Sequence, residues 1–312
     1  MSGMRIPVCL SVIVGLALPR ASVGEPVAPC TAGLAGETII PLTNEFMNYC
    51  VSDFGWSDAW LIPARETYSR AVDVLSGDDA ANFQYKKNGI PSAGKGWLTP
   101  GLDAGALSPR YHTGSPWQVF QPVSYTEGTT KAESVIRHPE DGIVIKITSE
   151  ISGLRLSQRY DIQNVGTSLL EDLVFADYFN YHPNGTDAGN HFKGTIRYED
   201  GRLITTGIDD GTLIADGMMW GQRMDDFHGV GIAAEVPGDP GPGDVITMIE
   251  TQSYDGSAGP FGPNDAAGGL AWKLGDLGQG QSTSFTIFKA APEPSTLGLL
   301  TLGSLVLLRR RR

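Results

Sequence analysis

The chain has 312 residues, a mass of 33.3 kDa and a formal net charge of −12, and 41% of its residues are hydrophobic. This hydrophobic fraction is too high for an acidic disordered chain. The hydrophobic residues are also too dispersed along the sequence for a protein with several membrane spans. The 40 glycines and 20 prolines follow no fixed period, which excludes collagen and favours many short strands joined by turns.

The first 24 residues have the pattern of a secretory signal peptide. Arg5 supplies the positive start, and an apolar run of 13 residues follows over 6–18. Small residues at Ser22 and Gly24 fit the −3 and −1 positions of a cleavage site. Because the apolar run is too short for a stable membrane span, we expect residues 1–24 to be removed during export.

Two cysteines, Cys30 and Cys50, remain after this cleavage. In an oxidising exterior we expect them to form a disulfide, and the alternative is a pair of free thiols. The loop of about 20 residues that this bond closes is worth roughly 3 kcal/mol in the chain-entropy model. No Cys-x-x-Cys motif occurs, so the sequence gives no support to a thiol redox site or a cysteine zinc site.

From about Ala132 onward the sequence alternates apolar and polar residues with the period of a β-strand. Over 154–163 the apolar residues share one face and the polar residues share the other, which is typical of a half-buried strand. The same alternation occurs at Ile143, Ile145, Ile147, Phe285 and Ile287. Residues 52–60 and 89–116 give no clear assignment.

Aspartate, glycine and proline mark the expected turns. Five Asp-Gly pairs occur, and those at Asp200 and Asp216 follow strand-like runs, so both predict type I′ hairpin turns. Two stretches rich in glycine and proline, 237–243 and 256–269, predict loops.

These patterns predict an all-β body over residues 25–290, because a sheet with one apolar face must pack against another sheet. We expect a large antiparallel β-sandwich, either immunoglobulin-like or a supersandwich. Residues 272–289 are similar to the last two strands of such a fold. A signal helix precedes the body, and a short transmembrane helix follows it. The pattern leaves open whether the body is one large sandwich or two smaller units.

Candidate catalytic and metal-binding residues are few. The five histidines do not have the spacing of a zinc or iron site, and the aspartates lack the order of a calcium-binding loop. The sequence also lacks the motifs of serine hydrolases, phosphate-binding loops and zinc proteases. We therefore predict no catalytic residue, no metal and no cofactor.

One short stretch has the residue types of a sugar site. Residues 177–182, with the sequence DYFNYH, resemble the His-x-Tyr-Phe-Asn stretch of aldose 1-epimerases, a family with a β-supersandwich fold. Ala176 stands where that family has its catalytic histidine, and His182 does not match that position. The match that carries over from the family is therefore Tyr178, Phe179 and Asn180. Because aromatic and polar groups can stack on and hydrogen-bond a sugar, we take Asp177, Tyr178 and His182 as candidate ligand-binding residues. The alternative is an aromatic strand end that packs in the core.

The last 21 residues have three parts in order. Pro292, Glu293 and Pro294 come first, an apolar run follows over 297–308, and the chain ends in Arg309, Arg310, Arg311 and Arg312. A helix of a soluble core would normally show a polar face, which this run lacks. The three parts resemble the PEP-CTERM sorting tail of exported Gram-negative bacterial proteins. The resemblance implies that an exosortase cuts near the Pro-Glu-Pro and passes the body to the cell surface or extracellular matrix.

The physical properties of the tail, residues 291–312, agree with a transient membrane anchor. A helix over 294–308 is roughly 22 Å long against a hydrocarbon core of about 30 Å. Bilayer thinning and extended arginine side chains can absorb this difference. The arginines keep the C-terminus in the cytoplasm, so we expect the body to lie outside the inner membrane.

Processing at both ends makes the body more acidic. Cleavage after Gly24 and after Glu293 removes six arginines and no acids, so the product 25–293 keeps 17 basic and 35 acidic residues, a formal charge of −18. Such a body repels nucleic acid and anionic lipid, and it is compatible with polysaccharide surroundings.

Three functions are compatible with these features. The leading hypothesis is a non-catalytic surface or matrix protein, processed by an exosortase and released into the exopolysaccharide layer. The second is a carbohydrate-binding module, suggested by the aromatic residues Trp56, Trp60, Tyr178 and Tyr181. The third is a sugar-modifying enzyme similar to the aldose epimerases.

Overall fold

The computed structural model describes twelve stretches of the chain, and all the regular structure in them is β-strand. The described residues are 38–44, 47–55, 57–61, 72–75, 79–87, 90–91, 117–125, 130–181, 192–209, 212–222, 227–234 and 259–290. The predicted all-β fold is therefore confirmed for these stretches. They contain no helix that could cross a membrane. The predicted signal peptide and sorting tail lie outside the described residues.

Seventeen strands follow one another in the described stretches. In order they are β1 Ile39–Thr43, β2 Met47–Ser52, β3 Ser57–Leu61, β4 Val72–Leu75, β5 Asp79–Lys87, β6 Ile90–Pro91, β7 Gln118–Tyr125, β8 Lys131–His138, β9 Ile143–Ser152, β10 Arg155–Asn164, β11 Leu170–Tyr181, β12 Phe192–Glu199, β13 Arg202–Asp209, β14 Thr212–Gly221, β15 Phe227–Ala234, β16 Phe261–Leu277 and β17 Ser282–Ala290.

The strands form two antiparallel sheets. The small sheet contains β1 to β4 in sequence order. The large sheet has the order β6-β5-β11-β16-β12-β13-β14-β17-β10-β9-β8-β7, and β15 pairs with β16 beside this path. The last strand of the chain, β17, thus lies in the interior of the large sheet, between β14 and β10.

The large sheet curls so that its two halves face each other across the core. The ring of Phe175 on β11 has its centroid 4.6 Å from that of Tyr160 on β10 and 5.4 Å from that of Phe285 on β17. Trp272 on β16 also contacts Phe285, at 4.7 Å between centroids. Four strands separate β11 from β17 along the sheet, so these contacts require the sheet to fold back on itself.

The small sheet packs against the same core. The hydroxyl of Tyr49 on β2 donates to the carbonyl oxygen of Lys289 on β17 (3.3 Å), and the Gln158 amide on β10 donates to the carbonyl oxygen of Gly55 (3.0 Å). The apolar residues of β1 and β2 belong to one hydrophobic cluster with those of the large sheet. The described strands therefore enclose one continuous core.

Several local predictions are confirmed and two are wrong. Burial alternates residue by residue through β9 and β10, as predicted, and Asp200 and Gly201 form the β12–β13 turn with φ angles of 49° and 71°. The predicted turn at Asp216 lies inside β14, where it pairs with Thr206. Residues 261–269 of the predicted loop 256–269 belong to β16, because pairing with β11 and β15 outweighs their glycine-rich composition.

Candidate functional site

Most of the predicted site residues lie outside the described part of the chain. These are Cys30, His182, Pro292, Glu293, Pro294, Arg309, Arg310, Arg311 and Arg312. Cys50 lies on β2 and is 1% exposed, and its disulfide with Cys30 stays a prediction. Tyr178 lies on β11, but its side chain is not among those described.

Asp177, the described member of the predicted sugar-binding set, points into the core. Its Oδ2 atom lies 3.4 Å from Nζ of Lys289, and both side chains are almost fully buried. Lys289 faces inward because it continues the alternation of Phe285 and Ile287 along β17. The ion pair therefore joins β11 to β17 across the two facing halves of the sheet. Ligand binding by Asp177 stays a prediction.

A second buried polar cluster surrounds the β8–β9 turn. The Tyr85 hydroxyl and the Lys87 ammonium of β5 donate to the two carboxylate oxygens of Asp141, at 2.5 and 2.6 Å. The backbone N–H of Asp141 donates to Nδ1 of His138 (3.2 Å), and the edge of Trp117 meets the His138 ring at 5.4 Å. In the sequence Asp141 belongs to one of the five Asp-Gly pairs and predicts only a turn, because its partners on β5 are more than fifty positions away.

Asp141 is held in its charged form. Burial by itself raises the pKa of this carboxyl, but hydrogen bonds from Lys87 and Tyr85 and the nearby charge of Lys87 outweigh that effect. The pKa of Asp141 therefore lies below its usual range. A carboxylate with this set of donors anchors the β8–β9 turn to β5.

The face of the large sheet opposite the core carries a shallow polar groove of about 340 Å³ over β9, β10 and β17. Alternation along these strands turns every second side chain outward. Cross-strand pairing then brings Asp161 between Lys146 and Ser284, and Gln163 beside Ser282. We call this the polar groove, lined mainly by Lys146, Arg159, Asp161, Gln163, Ser282 and Ser284.

Ion pairs order the charged side chains in and beside the polar groove. Arg159 binds Oδ1 of Asp161 through Nε (2.8 Å) and Nη2 (2.7 Å). Lys146 and Lys131 both contact the carboxylate of Glu133 on β8, at 2.9 and 2.8 Å. These contacts hold the pKa of Glu133 below its usual range, chiefly through the hydrogen bonds from the two lysines.

An apolar band lies next to the polar groove on the same outward face. The strand register places its residues in two rows across the sheet. In the first row Arg202 pairs with Trp220, and Trp220 pairs with Phe288. In the second row Ala290 pairs with Arg155 on one side and with Met218 on the other. The next pairs along the second row are Met218 with Ile204 and Ile204 with Arg197. We call this the outer band, formed by Ile204, Met218, Trp220, Phe288 and Ala290, and flanked by Arg155, Arg197 and Arg202.

The aromatic rings of the outer band are ordered by one another and by an arginine. Trp220 and Phe288 stack with 5.4 Å between centroids and 27° between planes. The guanidinium carbon of Arg155 lies 5.4 Å from the Phe288 centroid. Both aromatic residues are only partly buried, so they present apolar area to solvent. No pattern in the sequence predicts the outer band, because its residues and the flanking arginines come from four separate parts of the chain.

The C-terminal residues 290–312 match the family model of the PEP-CTERM protein-sorting motif. The predicted sorting tail is thereby confirmed, and the match supports an exported protein with a membrane-associated sorting signal at its C-terminus. No curated protein matches the chain.

The chain is similar to two solved structures at low sequence identity. A putative aldose 1-epimerase from Escherichia coli K12 has a TM-score of 0.45 and 11% identity, covering 82% of this chain and 99% of that one. A galactose mutarotase-like protein from Lactobacillus casei ATCC 334 has a TM-score of 0.42 and 11% identity, covering 82% of this chain and 100% of that one. Similarity at this level does not identify a substrate or an activity for this chain.

Proposed function

We propose that this protein is a non-catalytic surface or matrix protein. It is exported and held at the inner membrane by its tail. An exosortase then cuts it near Pro292, Glu293 and Pro294 and releases it to the cell surface or extracellular matrix. The match of residues 290–312 to the sorting motif is the observation that carries this proposal.

The position of the motif relative to the fold supports the same sequence of events. The last described strand, β17, ends at Ala290, and the sorting motif begins at that residue. The Pro-Glu-Pro therefore follows the folded body within two residues, where a membrane protease can cut without unfolding the core. We also infer that residues 25–290 form a single supersandwich, which the curled large sheet and the shared core support.

The test compares three forms of the full chain in the producing bacterium. The first is unchanged, the second ends at residue 290, and the third has Arg309 to Arg312 replaced by glutamine. Cell fractionation and mass spectrometry of the C-terminus are expected to find the unchanged form at the surface and cut near Pro292. The other two forms are expected to lose most of their surface fraction. A chain ending at residue 290 that reaches the surface in unchanged amount overturns the proposal.

A second candidate function, carbohydrate binding, is favoured by the outward face of the large sheet. There the polar groove offers amide, hydroxyl and carboxylate groups, and the adjacent outer band offers aromatic area. Screening the full chain against a glycan array tests this function. Signals for one group of glycans support it, and a uniformly blank array contradicts it.

A further inference from the structure

The outward face of β8–β10, β12 and β13 is more basic than the protein as a whole. Among its described outward side chains, seven are basic: Lys131, Arg137, Lys146, Arg155, Arg159, Arg197 and Arg202. Four are acidic: Glu133, Glu150, Asp161 and Glu199. The chain over 25–293 has 17 basic and 35 acidic residues, so the charge of this face is opposite in sign to that of the chain around it.

Three of these arginines, Arg137, Arg155 and Arg202, have no carboxylate partner within the described part of the chain, and the last two flank the outer band. Arg155 lies over the ring of Phe288, and Nη1 of Arg202 contacts Sδ of Met218 at 3.9 Å. Arg159, by contrast, is paired with Asp161. A guanidinium that lies over an aromatic ring, as that of Arg155 does, loses little freedom when its N–H donors bind an anion.

We propose that the outer band and the polar groove form one binding track for a polysaccharide that carries carboxylate groups. Aromatic rings such as Trp220 and Phe288 pack against the apolar faces of sugar rings. The unpaired guanidinium groups of Arg155 and Arg202 match the two oxygens of a carboxylate. The inference deepens the carbohydrate-binding function proposed above and rests on it for the class of ligand.

The length of the track suits a chain rather than a single sugar. From Arg155 to Gln163 it follows β10 for roughly 26 Å. Along this line the chemistry changes from arginine and aromatic groups to the hydroxyls and amide of Ser284, Ser282 and Gln163. A polysaccharide has both kinds of surface in every unit, so it can use the whole track.

The acidic character of the whole body does not prevent this interaction. At physiological ionic strength the Debye length is about 8 Å, so an anion on the track interacts mainly with the charges of that face. The remaining carboxylates oppose long-range attraction and limit binding of polyanions elsewhere on the surface. Specific contacts on the track therefore decide the affinity.

The test measures binding of the purified full chain to polygalacturonate, with dextran as the neutral control polymer. The unchanged protein is expected to bind polygalacturonate and not dextran. Arg155→Gln and Arg202→Gln are each expected to weaken the Kd about tenfold, the loss of one charge-assisted carboxylate contact. Lys86→Gln is the matched control, because Lys86 is an exposed cation on β5 whose partner is Asp172.

A measurement on the unchanged protein keeps the test independent of variant folding. Hydrogen exchange with and without polygalacturonate is expected to show added protection in β10, β14 and β17. Unaltered exchange in these strands, equal binding to dextran, or full binding by the Arg155→Gln/Arg202→Gln double variant overturns the proposal. Binding to the purified protein needs no export, so these results are separate from failure of the sorting role.

Discussion

Lys289 places a positive charge in the core, and Asp177 supplies the matching negative charge. Replacing Lys289 by methionine leaves a buried carboxylate without this cation. We expect Lys289→Met to lower the free energy of unfolding by about 3 kcal/mol or more. Urea denaturation of the full chain measures this difference. Adding Asp177→Leu to the variant is expected to recover most of the loss, since the second charge is then gone as well. A loss below 1 kcal/mol for Lys289→Met would show that the ion pair with Asp177 contributes little to stability.

Asp141 provides a pH-dependent contribution at the β8–β9 turn. Its pKa is lower in the folded chain than in the unfolded chain, so its stabilising effect is present above the unfolded value of about 3.9. That effect is lost as pH falls through the folded pKa. We expect Asp141→Asn to cost about 2 kcal/mol at pH 7, with the difference from the unchanged protein shrinking toward pH 3. Chemical denaturation of both proteins at several pH values measures this difference in the free energy of unfolding.

Asp172→Asn is the control for this pH series. Asp172 also binds a lysine, Lys86, but both groups are exposed. Water screens this pair, so no measurable loss is expected at any pH. A difference between Asp141→Asn and the unchanged protein that grows as pH falls would show the opposite sign of pKa shift.

Two hairpin turns of the large sheet allow a matched comparison between glycines. Gly142 and Gly153 both have positive φ, at 67° and 58°. A Cβ on Gly142 would lie 2.5 Å from the backbone nitrogen of Gly166, whereas a Cβ on Gly153 would meet nothing within 4 Å. We expect Gly153→Ala to cost about 1 kcal/mol through backbone conformation alone. Gly142→Ala is expected to cost at least twice as much, and thermal melting compares the two. Equal losses of stability would show that the close contact between residue 142 and the backbone of Gly166 does not add to the cost of the substitution.

The strands and turns that the sequence predicted correctly are those specified by neighbouring residues. The alternation over 154–163 needs only a period of two, and the Asp200 turn needs only residues that accept positive φ. Asp216 has the same local signal, but it continues β14 because the register with Thr206 extends through it. Partner strands on both sides likewise turn the glycine-rich start of β16 into a strand.

The outer band is an example of an arrangement that the sequence alone does not indicate. Arg202, Trp220, Phe288 and Ser157 lie in one row only because the sheet order is β13-β14-β17-β10. Nothing in the spacing of these residues along the chain indicates that order. The sequence did predict the polar outward face of 154–163, which lines one side of the polar groove.

At the scale of the whole molecule, the shared core predicts a single unfolding transition. Leu42 on β1 and Phe285 on β17 belong to the same hydrophobic cluster, although they lie in different sheets. We expect Leu42→Ala and Phe285→Ala each to lower the stability of that one transition, by about 3 and 4 kcal/mol. Circular dichroism and tryptophan fluorescence are expected to report the same midpoint in urea. Two separate transitions, with each variant affecting only one, would divide the body into independent units.

The place of β17 in the large sheet sets the timing of assembly during export. Translocation delivers residues in chain order, so β10 and β14 reach the exterior well before the strand that joins them. Until 282–290 emerge, two strand edges stay open and the halves of the sheet cannot close. The sorting motif begins where that strand ends. Under the proposed sorting route, cleavage of the C-terminus and completion of the fold are thus neighbouring events. The proposed membrane anchor would then keep incompletely folded molecules apart from one another.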